Sequence, residues 1–275
     1  MTAPACSNEA KPVRLLASVA VAAVLVLANA GCTTTQTTDA TGALAMASAA
    51  PQGSADWRRS ADAWGERYRA NPKDPTVASN YAQALRALGQ RAQAASVLEQ
   101  ASIQHPKNME LLGAYGRALA DVGNYKQALD VLNRAHTPDQ PDWRILSVQG
   151  AVLDQMGRHE DAQRYYATAL KIVPEEPSVL SNLGLSYALS RDLARAEATL
   201  RRAAARSRDP RVRQNLALVV GLQGRFAEAE QIARADLPPD EAAANVAYLR
   251  QMLARQNAMQ KSPQPSPPGM RSGRS

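Results

Sequence analysis

The chain has 275 residues, 45% of them hydrophobic but only 4% aromatic, so few large side chains are available to fill one deep globular core. Such a composition, in which alanine is prominent, suits helices that pack closely side by side. The formal net charge of +7 favours anionic partners, but the single Phe and the absence of a dense basic tract argue against nucleic-acid binding, which depends on aromatic stacking platforms and basic patches.

The first predicted element is a secretory signal peptide over residues 1–31. Lys11 and Arg14 precede an apolar run from Leu15 to Ala28, and small residues follow up to Gly31. A charged start, a short apolar core and a small-residue cleavage zone are typical of bacterial secretory signals. The run is shorter than the roughly 20 residues of a membrane span, which disfavours the alternative of an uncleaved anchor.

Two cleavage patterns overlap at the end of this segment. Ala30-Gly31-Cys32 resembles the end of a lipobox, although Asn29 stands where lipoproteins usually carry an aliphatic residue. Ala28-Asn29-Ala30 also fits an ordinary A-x-A site, which would release a soluble protein with a free thiol. Because Cys32 would then be a lone exposed cysteine in an oxidising compartment, we favour lipid attachment at Cys32.

Two low-complexity segments flank the predicted folded body. Residues 32–55 are rich in Thr, Ala and Ser, with almost no large apolar residues, which predicts a flexible tether. Residues 260–275 contain four prolines and two arginines, which predict a disordered basic tail.

Residues 56–259 between these segments are repetitive. Five series of residues recur at a step of about 34: Gly89, Gly123, Gly157 and Gly224, with Arg191 in the fourth slot; Ala94, Ala128, Ala162, Ala196 and Ala229; Leu98, Leu132, Tyr166 and Leu200, with an alanine three places on; Ala82, Gly116, Gly150 and Gly184; and Pro72, Pro106, Pro141 and Pro174. This period is the signature of the tetratricopeptide repeat (TPR), a pair of antiparallel helices. An alanine-rich coiled coil, the alternative, would show a heptad and would not need Gly or Pro at this spacing.

We therefore predict an all-α TPR superhelical solenoid with repeats at about 75–108, 109–142, 143–176, 177–210 and 211–243. In each repeat, the first Gly series ends the first helix in the left-handed conformation, and the small residue of the fourth series allows the two helices to cross closely. Helices predicted at 57–70 and 239–259 cap the two ends of the solenoid.

A closer resemblance lies in NYAQALRALGQRAQA (80–94), in AYGRALADVGNYKQALDVLNRAHTPDQPDWRILSVQGAVLDQMGRHEDAQRYYATAL (114–170) and in EPSVLSNLGLSYALSRDLARAEATLRRA (176–203). Together these stretches resemble the TPR lipoprotein of the tight-adherence (Tad/Flp) pilus assembly apparatus of Gram-negative bacteria, the TadD type. The resemblance implies an envelope lipoprotein, facing the periplasm from the outer membrane, that helps the secretin and pilus machine to assemble. Another envelope TPR adaptor, in polysaccharide export or outer-membrane protein biogenesis, is the alternative.

No catalytic signature is present in the sequence. There is no Walker A loop and no G-x-S-x-G, and the position four residues after His159 is Gln163, so no zinc-binding pair of histidines forms on that helix. We therefore predict a protein that is not an enzyme and that needs no cofactor and no metal.

The remaining candidate site is the groove lined by the first helix of each TPR pair. By the geometry of the TPR family, the residues facing it include Gln83, Arg86, Glu110, Arg117, Asp121, Arg144, Asp154, Gln155, Ser178 and Ser181. Arg86, Arg117 and Arg144 come from three successive repeats, and guanidinium groups in a row suit the binding of carboxylates.

Asn182 occupies the sixth position of its repeat, as do Asn80 and Asn215, and TPR proteins often use this position to bind a peptide backbone. We predict that Arg86, Arg117, Arg144 and Asn182 bind a protein partner of the pilus or secretion apparatus. A merely solvated face is the alternative, and the Lys/Asn/Lys/Arg pattern of chaperone carboxylate clamps is absent.

Overall fold

A computed structural model describes residues 53–261, and the predicted signal peptide, Cys32, and nearly all of the predicted tether and tail lie outside this range. The regular elements within it are α-helices. In chain order they are α1 (Ser54–Ala70), α2 (Pro75–Ala87), α3 (Arg91–Gln104), α4 (Met109–Asp121), α5 (Tyr125–Leu132), α6 (Trp143–Gln155), α7 (His159–Ile172), α8 (Pro177–Leu189), α9 (Leu193–Ala204), α10 (Pro210–Leu222), α11 (Phe226–Ala233) and α12 (Pro239–Lys261).

The predicted all-α TPR solenoid is confirmed. Helices α2 to α11 form five antiparallel pairs, and each pair packs on the next. The first helices of successive pairs (α2, α4, α6, α8 and α10) also contact one another directly, so they form one continuous wall. In a solenoid of this kind that wall is the concave surface.

Each first helix begins at a capping side chain. Asp74, Asn108, Asp142, Glu176 and Asp209 accept hydrogen bonds from backbone amides of the turn that follows. These amides have no partner inside the helix, so a side-chain acceptor fixes where the helix starts. In α2, α8 and α10 a proline follows the cap, where its missing N–H costs nothing.

The turn inside each pair has the predicted left-handed conformation. The φ angles are 76° at Gly89, 82° at Gly123, 74° at Gly157 and 84° at Gly224. Arg191, which takes this slot in the fourth repeat, also has a positive φ of 65°, although its side chain makes the conformation less favourable than it is for Gly.

The small residues of the fourth series lie where the two helices of a pair cross. A Cβ atom at Gly116 would lie 2.5 Å from Cγ of Leu132, and one at Gly150 would lie 2.6 Å from Cε1 of Tyr166. Because real Cβ contacts are longer than this, glycine sets the distance between the helices in these repeats.

The core runs the length of the solenoid as a series of small clusters between the helices. The alanines of the second helices are fully buried, as are the large residues one turn further on: Ala94, Ala128, Ala162, Ala196, Ala229, Leu98, Leu132, Tyr166 and Leu200. At the ends, Ala61 and Gly65 of α1 are buried against α2, and Leu249 of α12 packs against Gly221.

Two of the second helices are short. α5 and α11 have eight residues each, whereas α3 and α7 have fourteen. After α5, Pro138 stands one period beyond Gln104, a residue that is still helical in α3. A proline at that point removes a donor and disfavours helix in the residue before it, so the chain instead crosses to Asp142 in an irregular segment with a bridge between Thr137 and Gln140.

Candidate protein-binding groove

A shallow depression, open to solvent, lies on the concave wall and is lined by residues of α2, α4, α6 and α8. Arg86, Arg117 and Asn182 line it, together with Asp121 and Ser147. Its remaining lining consists of small apolar side chains: Ala120, Val148, Ala151 and Val152. Three of the four residues predicted to bind a partner therefore share one surface. We call this depression the arginine pocket.

Arg144, the fourth predicted residue, lies beside the pocket and does not line it. Its side chain is exposed, and its guanidinium stacks on the ring of the adjacent Trp143 at 4.6 Å from the ring centroid. Arg144 nevertheless acts on the pocket, because its charge is among those that lower the pKa of Arg117.

Arg86 is already paired within the protein. Its guanidinium donates to the carboxylate of Asp121, one repeat further along, and both side chains are mostly buried, with 25% and 14% of their surface exposed. This ion pair joins α2 to α4 across the wall. Arg86 therefore holds two repeats together, and only part of its hydrogen-bonding capacity remains for a partner.

Arg117 differs from the other two arginines because part of its guanidinium is buried without a hydrogen-bond partner. Its Nη1 atom is buried and has no hydrogen-bond partner. Burial lowers the pKa of Arg117, the charges of Arg86 and Arg144 lower it further, and Asp142 and Asp121 oppose this effect. Arginine still stays charged at neutral pH, so the pocket contains an undercompensated cation.

The asparagines on the wall are engaged in bonds between helices. Asn182 Nδ2 donates to Ser147 Oγ at 3.2 Å, and Asn215 Nδ2 donates to Ser181 Oγ at 3.1 Å, one repeat back in each case. Asn80 Nδ2 instead donates to the carbonyl oxygen of Thr76 in its own helix, at 2.9 Å. The Asn–Ser bonds set the spacing of the first helices, a role that the sequence pattern did not reveal.

Asp154 does not face the groove, so that part of the prediction is wrong. Its side chain is buried between the third and fourth repeats, where its carboxylate accepts from Ser186 Oγ at 2.8 Å, His159 Nδ1 at 2.9 Å and Tyr166 Oη at 3.1 Å. Burial raises the pKa of Asp154, and these hydrogen bonds partly offset the effect. His159 is thus a partner of a buried carboxylate, and Asp154 joins two repeats.

Between residues 53 and 261, no group of three or more His, Cys, Asp or Glu side chains is arranged to hold a metal ion. Over the same residues, no helix is both long enough and apolar enough to cross a membrane.

Comparison with known families finds repeat proteins along most of the described chain. The model for anaphase-promoting complex, cyclosome, subunit 3 matches residues 59–135, and two tetratricopeptide-repeat models match residues 148–210 and 210–235. No curated protein matches the sequence.

Solved structures with a similar fold include PilW, a widely conserved type IV pilus biogenesis factor. The chain is 17% identical to PilW over 70% of its own length and 91% of PilW, with a TM-score of 0.62. A thermophilic TPR protein of Thermus thermophilus, TTC0263, is 23% identical over 66% of this chain and 100% of that protein, with a TM-score of 0.55.

The APC/C hetero-tetramer Cut9–Hcn1 also has a similar chain, 14% identical, with a TM-score of 0.61 over 74% of this chain. This chain spans only 41% of that one. At these identities the three likenesses show a shared fold of stacked helix pairs.

Proposed function

This chain is a tetratricopeptide-repeat protein, and we propose that it is a membrane-tethered scaffold whose concave groove holds an extended, partly acidic segment of a protein partner. Stacked repeats of this kind present a long concave surface, which proteins use to bind other proteins. The arginine pocket is the observation that carries the proposal, because it gathers Arg86, Arg117 and Asn182 from three first helices onto that surface.

The charge of the pocket selects the chemistry of the partner segment. Around Arg117 lie two further guanidinium groups, those of Arg86 and Arg144, and two carboxylates, those of Asp121 and Asp142, so three positive charges face two negative ones. An acidic segment would be attracted to this excess of positive charge. The attraction should speed association at low salt. It should weaken at physiological ionic strength, where exposed charges farther apart than roughly 8 Å are screened from one another.

We place this binding in the assembly of a Tad/Flp pilus and its outer-membrane secretin. Support comes from the resemblance of residues 80–203 to the TadD-type lipoproteins and from the fold shared with PilW. In this proposal a lipid on Cys32 attaches the protein to the outer membrane on its periplasmic side, and residues 32–55 give the solenoid reach. Tethering of this kind raises the effective concentration of the groove near membrane partners.

Site-specific photo-crosslinking in the native cells tests both the groove and the partner. One crosslinker replaces Arg144, beside the pocket, and a control crosslinker replaces Ile103, which is 72% exposed on the second helix α3. We expect a pilus or secretin subunit to be captured from position 144 and not from position 103. Capture from position 103 alone would place binding on the other face. Capture of a polysaccharide-export or outer-membrane assembly protein from position 144 would support binding in the groove but contradict a role in pilus assembly.

The same cells test the anchor. Wild type fed a fatty-acid analogue should take up the label and fractionate with membranes, whereas Cys32→Ser should do neither. An unlabelled, soluble wild-type protein would show that the A-x-A site is used.

A further inference from the structure

The junction between the second and third repeats has buried polar atoms without partners. Among residues 53–261, the buried side-chain atoms that lack a hydrogen-bond partner are Arg117 Nη1, His136 Nδ1 and Gln149 Oε1. They belong to α4, to the segment after the short helix α5 and to α6. Buried polar atoms are normally paired, because an unpaired one loses its water without compensation. This junction is therefore incomplete in the protein alone.

Arg117 is the charged member of this group, and the carboxylates nearest to it are already engaged. Asp121 accepts from Arg86, and Asp142 Oδ1 accepts the backbone N–H of Arg144 at 2.7 Å as the cap of α6. A cation withdrawn from water without a carboxylate partner is unfavourable. The group that would balance the charge of Arg117 is one more carboxylate, which the planar fork of a guanidinium binds through two hydrogen bonds.

Beyond the pocket, the groove changes from polar to apolar. Counted from the first residue of α4, α6, α8 and α10, the ninth residue is Arg117, Ala151, Leu185 and Leu218, and the thirteenth is Asp121, Gln155, Leu189 and Leu222. Leu189 and Leu222 keep part of their surface exposed. A segment that follows the groove from repeat two toward repeat five therefore leaves a cationic site and meets apolar side chains.

The distance between the cationic site on α4 and the apolar side chains on α8 determines how many residues should separate the carboxylate and the apolar residue of the partner segment. Packed helices lie about 8–10 Å apart, so α4 and α8 are separated by roughly 16–20 Å. An extended chain advances about 3.3 Å per residue, and this distance corresponds to about five or six residues.

We infer that Arg117 is a socket for one carboxylate of the partner segment, and that an apolar residue about five or six positions away in that segment lies on Leu189. This inference rests on the proposed groove function and specifies its ligand. Because Arg117 lines the pocket while its Nη1 is closed to solvent, the carboxylate binds the accessible edge of the guanidinium, formed by Nε and Nη2. The segment runs through an open groove, so its carboxylate comes from an Asp or Glu side chain.

Peptide selection against the purified protein tests this socket without knowledge of the partner. A library of random sixteen-residue peptides without free C-termini is selected on the wild-type protein, and a second library presents free C-termini. We expect Asp or Glu to be enriched at one position of the first library, with an apolar residue five or six positions away. If only peptides of the second library bind, Arg117 still binds a carboxylate, but that carboxylate is the C-terminus of the partner and not an Asp or Glu side chain.

A double-mutant cycle then assigns the carboxylate to Arg117. In a selected peptide, changing Glu to Gln should weaken binding to wild type about tenfold or more, but less than about twofold for Arg117→Gln. Arg58→Gln, the same change at an exposed arginine of α1 outside the pocket, should keep the tenfold effect. If Arg117→Gln does not fold, Arg117→Lys replaces it, because lysine keeps the charge but lacks the planar fork. In Arg117→Lys the change from Glu to Gln in the peptide should weaken binding by less than in wild type.

Two failures are distinguishable in this design. Suppose that selected peptides crosslink at position 144 but show no preference for a carboxylate, or that the Glu-to-Gln effect persists in Arg117→Gln. The socket is then refuted and the groove function stands. If the peptides crosslink only at position 103, the groove function fails, and the socket fails with it.

Discussion

Gly150→Ala tests a close helix crossing in the middle of the solenoid. A Cβ atom at this position would meet three atoms of the Tyr166 ring, at 2.6, 2.8 and 3.0 Å. The ring cannot move aside easily, because Tyr166 is only 1% exposed and its hydroxyl donates to Asp154. The helices α6 and α7 must therefore separate, or the ring must shift, by several tenths of an ångström.

Two opposing effects decide the size of the change. Overpacking a filled core costs about 1–3 kcal/mol, and a rigid ring places this site toward the upper end. Replacing Gly by Ala inside a helix recovers roughly 0.8–1.0 kcal/mol of helix propensity. We expect a net loss of about 1–2 kcal/mol in the free energy of unfolding, which lowers Tm by roughly 2–8 °C for a domain of this size.

Gly113→Ala is the matched control, since it makes the same change inside the preceding first helix. There the new Cβ would lie 2.6 Å from Cδ1 of Ile145, the free end of a flexible side chain, with the next carbon at 3.9 Å. A rotation of Ile145 relieves this contact, so the variant should melt at or above wild type in a thermal circular-dichroism scan. If Gly150→Ala also melts at or above wild type, the crossing is not closely packed and the assignment of these glycines is mistaken.

Two further variants test the polar groups that join repeats. Tyr166→Phe removes a donor from the buried carboxylate of Asp154 and should cost about 1.5–3 kcal/mol in a urea titration. Tyr81→Phe, which loses one neutral bond from Gln93 at 3.2 Å, should cost about 0.5–1.5 kcal/mol, and equal costs would contradict a charged Asp154. Burial would raise the pKa of Glu197, but hydrogen bonds from two arginines and a glutamine lower it to about 2 from a usual 4.5. Its stabilisation should therefore be complete above pH 4.5 and be lost as the pH falls toward 2, so the difference in unfolding free energy between wild type and Glu197→Gln should disappear over that range; a difference that does not vary with pH would refute this.

The helix pairs were predictable because residues with the same structural role recur at the same positions of successive repeats. Glycine alone adopts the left-handed turn cheaply, and its recurrence at Gly89, Gly123 and Gly157 predicts where the first helices end. A second series was readable and was missed. The caps at Asp74, Asn108, Asp142, Glu176 and Asp209 keep nearly the same step and fix where the first helices begin.

The pairing of side chains across repeats was not predictable in the same way. Arg86 and Asp121 were both assigned to the groove from their positions, but nothing in a 34-residue period indicates that they bond to each other. Asp154 was assigned to the groove by the same rule. The rule fails there because Tyr166 occupies the slot that Leu132 and Leu200 fill in neighbouring repeats, and its buried hydroxyl requires an acceptor inside the core.

The arginine pocket and the irregular junction have a common origin in the second repeat. Other neighbouring first helices, α6 with α8 and α8 with α10, are linked by satisfied bonds from Asn182 to Ser147 and from Asn215 to Ser181. At the junction after α5, the helix that packs there is short and buried polar atoms lack partners. Natural sequences tend to depart from local consistency at functional sites. That Arg117 lies both at this junction and in the groove is why we assign the binding of a partner carboxylate to it and not to the better-exposed Arg144.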